Sequence, residues 1–363
     1  MLAPNTAAVT AQLTSDYGVN ANLMVWAHTL LNTSLYPLTP KPAWFDKIAD
    51  ELTAAKTKTE TWLVDDYPGI AAALPQTLIS YANMFEAAYR ELKPLFANGN
   101  PTGASRDTAL ELIAALQTEA RRHQWMVLGL QRKVVAFSTL VKESSARMSE
   151  NAKEVKKTLG AASKDLLALQ SRIAELQRTL GITTTEAKHS MNGAAMTGAS
   201  LTMTMMSFTI TAGIGAAAFP VFGLVGALIG IGVNAAKEAS KSAEVRALIR
   251  EIGELRVKVT ADQFQIAALQ TIEASCETLA DVTVSSLTNM EGVVHHWDDI
   301  VGQLAAAHEL LQQPAVDLSR VEAFRSLSSA DAAWKVIATR AANIQESVLQ
   351  VSAERIVLTG DAA

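Results

Sequence analysis

Between Lys188 and Lys237 the chain runs for 48 consecutive residues without an Asp, Glu, Lys or Arg. Only 18% of the residues are charged, yet chance gives a run of this length with a probability below roughly one in ten thousand. The run holds eight of the 19 glycines and five of the 11 methionines, and Pro220 interrupts it within Ala218-Phe219-Pro220-Val221-Phe222-Gly223. A charge-free run beyond ~20 residues reads as a membrane span, and one of twice that length with a central breaker reads as a hairpin. The second arm, Val221 to Ala236, also places Gly226 and Gly230 at the spacing that lets membrane helices approach closely.

The first arm satisfies two periods. As a strand, Leu201, Met203 and Met205 alternate with threonines, then the phase slips and Met206, Phe208 and Ile210 alternate with Ser207, Thr209 and Thr211. As a helix, Thr197, Ser200, Thr204, Ser207 and Thr211 form one hydroxyl stripe at steps of three and four. Either conformation is therefore open to the hairpin, as a refolding element requires.

On both sides of the desert the apolar period is helical. Val127, Leu130, Val134, Phe137 and Val141 step by three and four, and after a slip Met148, Ala152, Val155, Leu159, Ala162, Leu166, Leu169, Ile173, Leu176 and Leu180 continue. Beyond Lys237, Val245, Leu248, Ile252, Leu255 and Val259 lead to Leu287, Met290, Val294, Trp297, Val301, Leu304, His308 and Leu311. Two such seams of about 75 residues predict helices up to ~110 Å long. Eight of the ten prolines lie between Pro4 and Pro101, so the N-terminal third is expected to form shorter helices: about 6–35, 43–66 and 76–96. After Pro314, one or two last helices are expected from Asp317 to about Thr359.

The fold class is thus all-α. An elongated bundle, the tail, has two very long helices flanking a small hydrophobic head. The expected divisions are 1–180 (tail), 181–240 (head) and 241–363 (tail).

Composition narrows the function. Hydrophobic residues at 49% exclude intrinsic disorder, and a net charge of −5 argues against a general nucleic-acid binder. A single cysteine, Cys276, excludes an intramolecular disulfide and any CxxC site. Residues 142–258 carry 15 basic and 10 acidic residues against 16 and 26 elsewhere, which suits an anionic membrane surface beside the hairpin. Gly213-Ile-Gly215-Ala-Ala-Ala218 fits a dinucleotide fingerprint, but Phe219-Pro220 follows where a helix must open. His295-His296-Trp297 has no ligand partner at metal spacing, so Trp297 is read as a seam residue beside solvent-facing histidines, and Cys276 as a small core residue. Neither Asp65-Asp66 nor Asp298-Asp299 belongs to a catalytic set, and Asn32-Thr33-Ser34 is a lone glycosylation sequon. No catalytic constellation, cofactor site or metal site is expected. The opening Met1-Leu2-Ala3-Pro4-Asn5-Thr6 lacks the basic and apolar regions of a secretory signal, so the expectation is either that a signal has been removed or that export goes by a route the sequence does not display.

This layout resembles the cytolysin A superfamily of α-helical pore-forming toxins, which includes the haemolysin BL and non-haemolytic enterotoxin components and the multi-component toxins of Gram-negative bacteria. The resemblance is most like the transmembrane B-type subunit of a tripartite toxin. It implies a secreted protein whose head opens on a target-cell membrane, inserts its hairpin into lipid and assembles into a homo-oligomeric ring, together with homologous toxin components. It further implies that the membrane-inserting residues are Leu201, Met203, Met205, Met206, Phe208, Ile210, Ile214, Phe219, Pro220, Val221, Phe222, Leu224, Val225, Leu228, Ile229, Ile231 and Val233. Hinges are expected at Gly181, Gly193 and Asn234, and a polar lining at the hydroxyl stripe. Two other readings stay open: a central hairpin buried within a large helical protein, and an integral two-span membrane protein with coiled-coil signalling or structural helices.

Overall fold

The computed structural model describes residues 2–32, 41, 43, 45–97, 100–159, 164–179, 201–211, 219–224, 243–258, 261–347 and 349–359. Helix α1 (Thr6–Asn32) precedes α2 (Phe45–Thr61), which passes through a π-turn (Trp62–Asp66) into α3 (Tyr67–Phe96). The long helices follow as α4 (Ala104–Leu159) and α5 (Lys164–Thr179) before the head, and α6 (Ala243–Lys258) and α7 (Ala261–Gln312) after it. A 3-10 turn (Leu318–Arg320), α8 (Glu322–Arg325) and α9 (Leu327–Glu346) complete the helices. Three strands, β1 (Leu201–Thr211), β2 (Phe219–Leu224) and β3 (Leu349–Thr359), form one sheet in the order β2-β1-β3.

The two seams meet where α4 packs along α7, the most extensive helix pair of the fold. At 56 and 52 residues these helices are about 84 and 78 Å long. Val127, Val134, Phe137 and Val141 are buried as their spacing predicts. On α7 the buried series is Met290, Val293, Trp297, Ile300, Leu304, Ala307 and Leu311. Val294 and Val301 are only partly buried, so at alternate turns the inward position lies one residue earlier than the expected seam. A helix against several neighbours buries a stripe wider than a strict coiled-coil seam, and Val293 and Ile300 share that stripe with Val294 and Val301.

Two expectations are corrected. The third helix does not begin at Gln76: α3 begins at Tyr67 and runs through Pro75. An internal proline removes one helical hydrogen bond, at a cost of ~3 kcal/mol. The unbroken stripe Ile70, Leu74, Leu78, Tyr81, Phe85 and Leu92, all buried, offsets that cost. Nor is the last stretch helical to Thr359: α9 stops at Glu346, and residues 349–359 form β3.

The centre of the bundle is aromatic. Tyr81 lies edge-on to Trp297 with ring centroids 5.3 Å apart, and 4.7 Å from Trp334, whose Nε1 donates to the Leu2 carbonyl at 3.1 Å. At the π-turn the extra residue accompanies the seating of Trp62, which is buried and stacks on Phe137 at 4.0 Å.

Candidate functional site

The head is built on backbone pairing. Strand β1 pairs antiparallel with β2, from Met205↔Leu224 to Ile210↔Phe219, so the expected breaker Pro220 lies within the second strand and not between the two. Pro220 itself sits on β2, an edge strand, where a missing N–H is tolerated. On its other side β1 pairs in parallel with β3 over eleven positions, from Leu201↔Leu349 to Thr211↔Thr359. The apolar residues meet one another in this register: Leu201 opposite Leu349, Met203 opposite Val351, Met205 opposite Ala353, Phe208 opposite Ile356 and Ile210 opposite Leu358. Both strands change apolar phase at the same level, where Met206 and Ser207 oppose Glu354 and Arg355. All three strands lie beside α1, with α5 near β2 and α6 near β1.

The strand reading of the first arm therefore describes this structure. Of the expected membrane-inserting residues, Leu201, Met203, Met205, Met206, Phe208 and Ile210 lie on β1, and Phe219, Pro220, Val221, Phe222 and Leu224 on β2. Ile214, Val225, Leu228, Ile229, Ile231 and Val233 lie outside the described residues, as do the hinges Gly181, Gly193 and Asn234. The hydroxyl stripe divides: Thr197 and Ser200 are outside, while Thr204, Ser207 and Thr211 are on β1. Residues two apart share a strand face, so Thr204 is out of phase with Ser207 and Thr211. The stripe exists only if this segment becomes helical. Among the described residues, no helix is long and apolar enough to cross a membrane.

Three features of the bundle escaped the sequence reading. One is β3. Another is His123, which occupies a seam position of α4 in the series Ala109, Ile113, Leu116, Ala120, His123 and Val127. Its ring lies 5.2 Å from that of Trp297, and its Nε2 is 3.1 Å from Glu119 Oε1 without hydrogen-bonding alignment, so both ring nitrogens are buried and unsatisfied. Burial holds the His123 pKa below its ordinary value against the upward pull of Glu119. The third is a cavity of about 350 Å³ between α1, α3 and the end of α9, lined by the buried Asp16. The spacing of Leu13, Asp16, Tyr17, Asn20 and Met24 on one face of α1 signals such a site in the sequence.

The remaining candidates fall as their spacing implies. Trp297 is fully buried and His295 exposed, but His296 is half-buried rather than facing solvent. The backbone of Cys276 is on α7. No group of three His, Cys, Asp or Glu residues placed to hold a metal ion occurs among the described residues.

The arrangement of helical tail, two long helices and a head hairpin paired in a sheet has the overall fold of several solved toxin components. Motility associated killing factor B from Vibrio cholerae aligns with a TM-score of 0.79 at 15% identity, over 99% of this chain and 98% of that one. Soluble AhlB of the tripartite α-pore-forming toxin of Aeromonas hydrophila aligns at 0.67 and 12%, over 95% and 94%. The HblL1 toxin component of Bacillus cereus aligns at 0.68 and 15%, over 96% and 99%. Residues 38–181 match the family of the Bacillus haemolytic enterotoxin, HBL. The resemblance to the haemolysin BL group of pore-forming toxins is thereby borne out. No curated protein sequence matches the chain significantly.

Proposed function

We propose that this protein is a secreted subunit of an α-helical pore-forming toxin, the B-type transmembrane component of a multi-component system. The observation that carries the reading is the 48-residue uncharged segment placed between two long helices, with its first arm held as the central strand of a small sheet. In water, an exposed run from Met206 to Val233 would present far more apolar surface than the few hundred Å² a monomer tolerates. Pairing β1 on both edges satisfies its backbone until a membrane is met. In lipid no open sheet survives, so the segment inserts as helices, which satisfy their own backbone.

The second arm favours insertion. Val221, Phe222, Leu224, Val225, Leu228, Ile229, Ile231 and Val233 contribute about 0.3–0.6 kcal/mol each, roughly 2–5 kcal/mol together. The hairpin supplies only small hydroxyls as a lining, and these can bond to their own helix backbone. A ring of this chain alone therefore dewets and conducts poorly, and efficient lysis requires a homologous component with an amphipathic hairpin.

The test is dye release from liposomes by the purified protein, alone and with candidate homologous components. Weak release alone and strong release in combination is expected, and stable large single-channel steps from this chain in isolation would overturn the need for a partner. The opening step is tested separately in a Cys276→Ser background carrying Thr204→Cys and Ser352→Cys, which face each other across β1 and β3. Oxidation is expected to block release and reductant to restore it.

A further inference from the structure

We propose that the cavity between α1, α3 and the C-terminal end of α9 is a binding site for a small apolar amine, with one ammonium group on an apolar body of about a dozen non-hydrogen atoms. This site is independent of the membrane reading of the head.

The size comes first. An apolar cavity of about 150 Å³ takes up benzene, and this one is more than twice as large at about 350 Å³. Its walls are mainly apolar, with Leu13, Met24, Leu63, Pro68, Leu74 and Ile344 among them. Water filling such a space would leave those walls hydrated at a cost that an apolar body avoids.

The polar groups then select the head group. Asp16 and Asn20 lie four residues apart on one face of α1. Asp16 is 94% buried (6% exposed), its Oδ1 accepts from Gln12 Nε2 at 3.2 Å, and its Oδ2 has no partner. Asn20 Oδ1 is also buried and unpartnered. The tyrosine donors are directed elsewhere: Tyr17 points its hydroxyl at the Ser347 carbonyl at 3.5 Å, and Tyr67 at the Asn20 carbonyl at 3.4 Å. Pro75, in the opposite wall, has no N–H to offer the Ala71 carbonyl one turn earlier. The cavity therefore presents acceptors in want of donors, with one of them a carboxylate. An anion is repelled, and a divalent cation finds too few oxygens. An ammonium brings both charge and donors.

Burial pushes the Asp16 carboxyl up to about 7, so near neutral pH the empty site is partly protonated. The other titratable side chains of the wall, Tyr17 and Tyr67, are held above the ordinary tyrosine value by burial and stay uncharged. From α9 the wall receives Ile344 and Gln345, from the residue that caps it Ser347, and from the π-turn Leu63, none of them titratable. Helix α7 reaches Asp16 through Gln12, which also donates to the Asn289 carbonyl at 3.0 Å. An arriving ammonium favours the carboxylate and so displaces its proton below pH 7.

The experiment is isothermal titration of the full chain with 2-phenylethylamine and its near-isostere 2-phenylethanol, in buffers of different ionisation heat. One amine per chain is expected, bound at least about tenfold more tightly than the alcohol above pH 8. At pH 6 each binding event should release close to one proton. Asp16→Asn should abolish both the preference and the proton release while leaving the alcohol bound. Ala71→Phe, on the half-buried part of the α3 wall, should lose both ligands with the carboxylate intact. Equal affinity for amine and alcohol, no amine binding up to about 10 mM, or an unchanged preference in Asp16→Asn would each overturn the assignment.

Discussion

The tail and the head are both rich in apolar residues and hold themselves together in opposite ways. In the tail, apolar residues recur every three or four positions among charged ones, and the bundle buries whole rings: Trp297 and Trp334 are 0% and 1% exposed, with Tyr81 between them. In the head the apolar residues are contiguous, no charge lies among residues 189–236, and β1 is held by backbone pairing to two edge strands. Close packing is specific to one arrangement of side chains. Strand pairing instead satisfies the backbone N–H and C=O groups. The same kind of residue therefore serves two kinds of cohesion, and the difference lies in where the charges are.

Substitutions should separate the two regions. The largest effect is expected in the tail: Trp297→Ala should destabilise the fold by about 3–5 kcal/mol, measured by denaturant unfolding. A loss below 1 kcal/mol would show that the aromatic centre does not anchor the bundle. Next comes the head. Leu228→Asp should cost insertion ~2.5–3.5 kcal/mol, removing most of the drive of the second arm. Liposome release in combination with partner components should fall sharply while the unfolding midpoint stays within a degree or two; unchanged release would mean that this arm stays out of lipid.

The remaining effects come from buried ionisable groups in the tail; they depend on pH, and their signs oppose. Asp16 has its folded pKa raised from 3.8 to about 7, so the folded state holds a proton that the unfolded state has already released. Its burden is absent below about pH 4, grows as pH rises and is complete above pH 7. Asp16→Asn should stabilise the protein by ~2–4 kcal/mol at pH 8 and by little at pH 4. His123 has its folded pKa lowered, so the unfolded state binds the extra proton and stability falls as pH drops below about 6.5. His123→Gln should flatten the loss between pH 6.5 and pH 5 relative to the wild type. A slope unaltered by that change would place the acid sensitivity in other groups.

How far the sequence could be read follows from the range of the interactions. The α4 seam is local, and Val127, Val134, Phe137 and Val141 were legible in their spacing. On α7, the exchange of Val294 and Val301 for Val293 and Ile300 depends on neighbours that periodicity does not name. The strand character of the first arm was legible from its alternation, although helix and strand were equally open until a partner was known, and Pro220 marked the second strand rather than the break before it. That partner is β3, whose register lies 148 residues along the chain from β1 and leaves no trace in any local window. His123 looked like any seam position, because a histidine among aromatic rings differs from one at the surface only through what surrounds it. Asp16 and Asn20 stood between Leu13 and Met24 on one face of α1, a signal that gains meaning only when α3 and α9 pack beside it.

The covering of β1 by β3 also bears on how the chain behaves in water. An unpaired strand edge recruits any similar strand in solution. Because β3 belongs to the same molecule, it meets β1 at the effective concentration of a tethered segment, on the order of millimolar. Another copy at micromolar concentration competes about a thousandfold less well for that edge. The matching change of apolar phase in the two strands adds alignment to proximity, since a slip of one residue would set every apolar position of β1 against the wrong face of its partner. The chain thus carries its own competitive inhibitor of strand exchange at the β1 edge, and the edges left for other strands are those of β2 and β3.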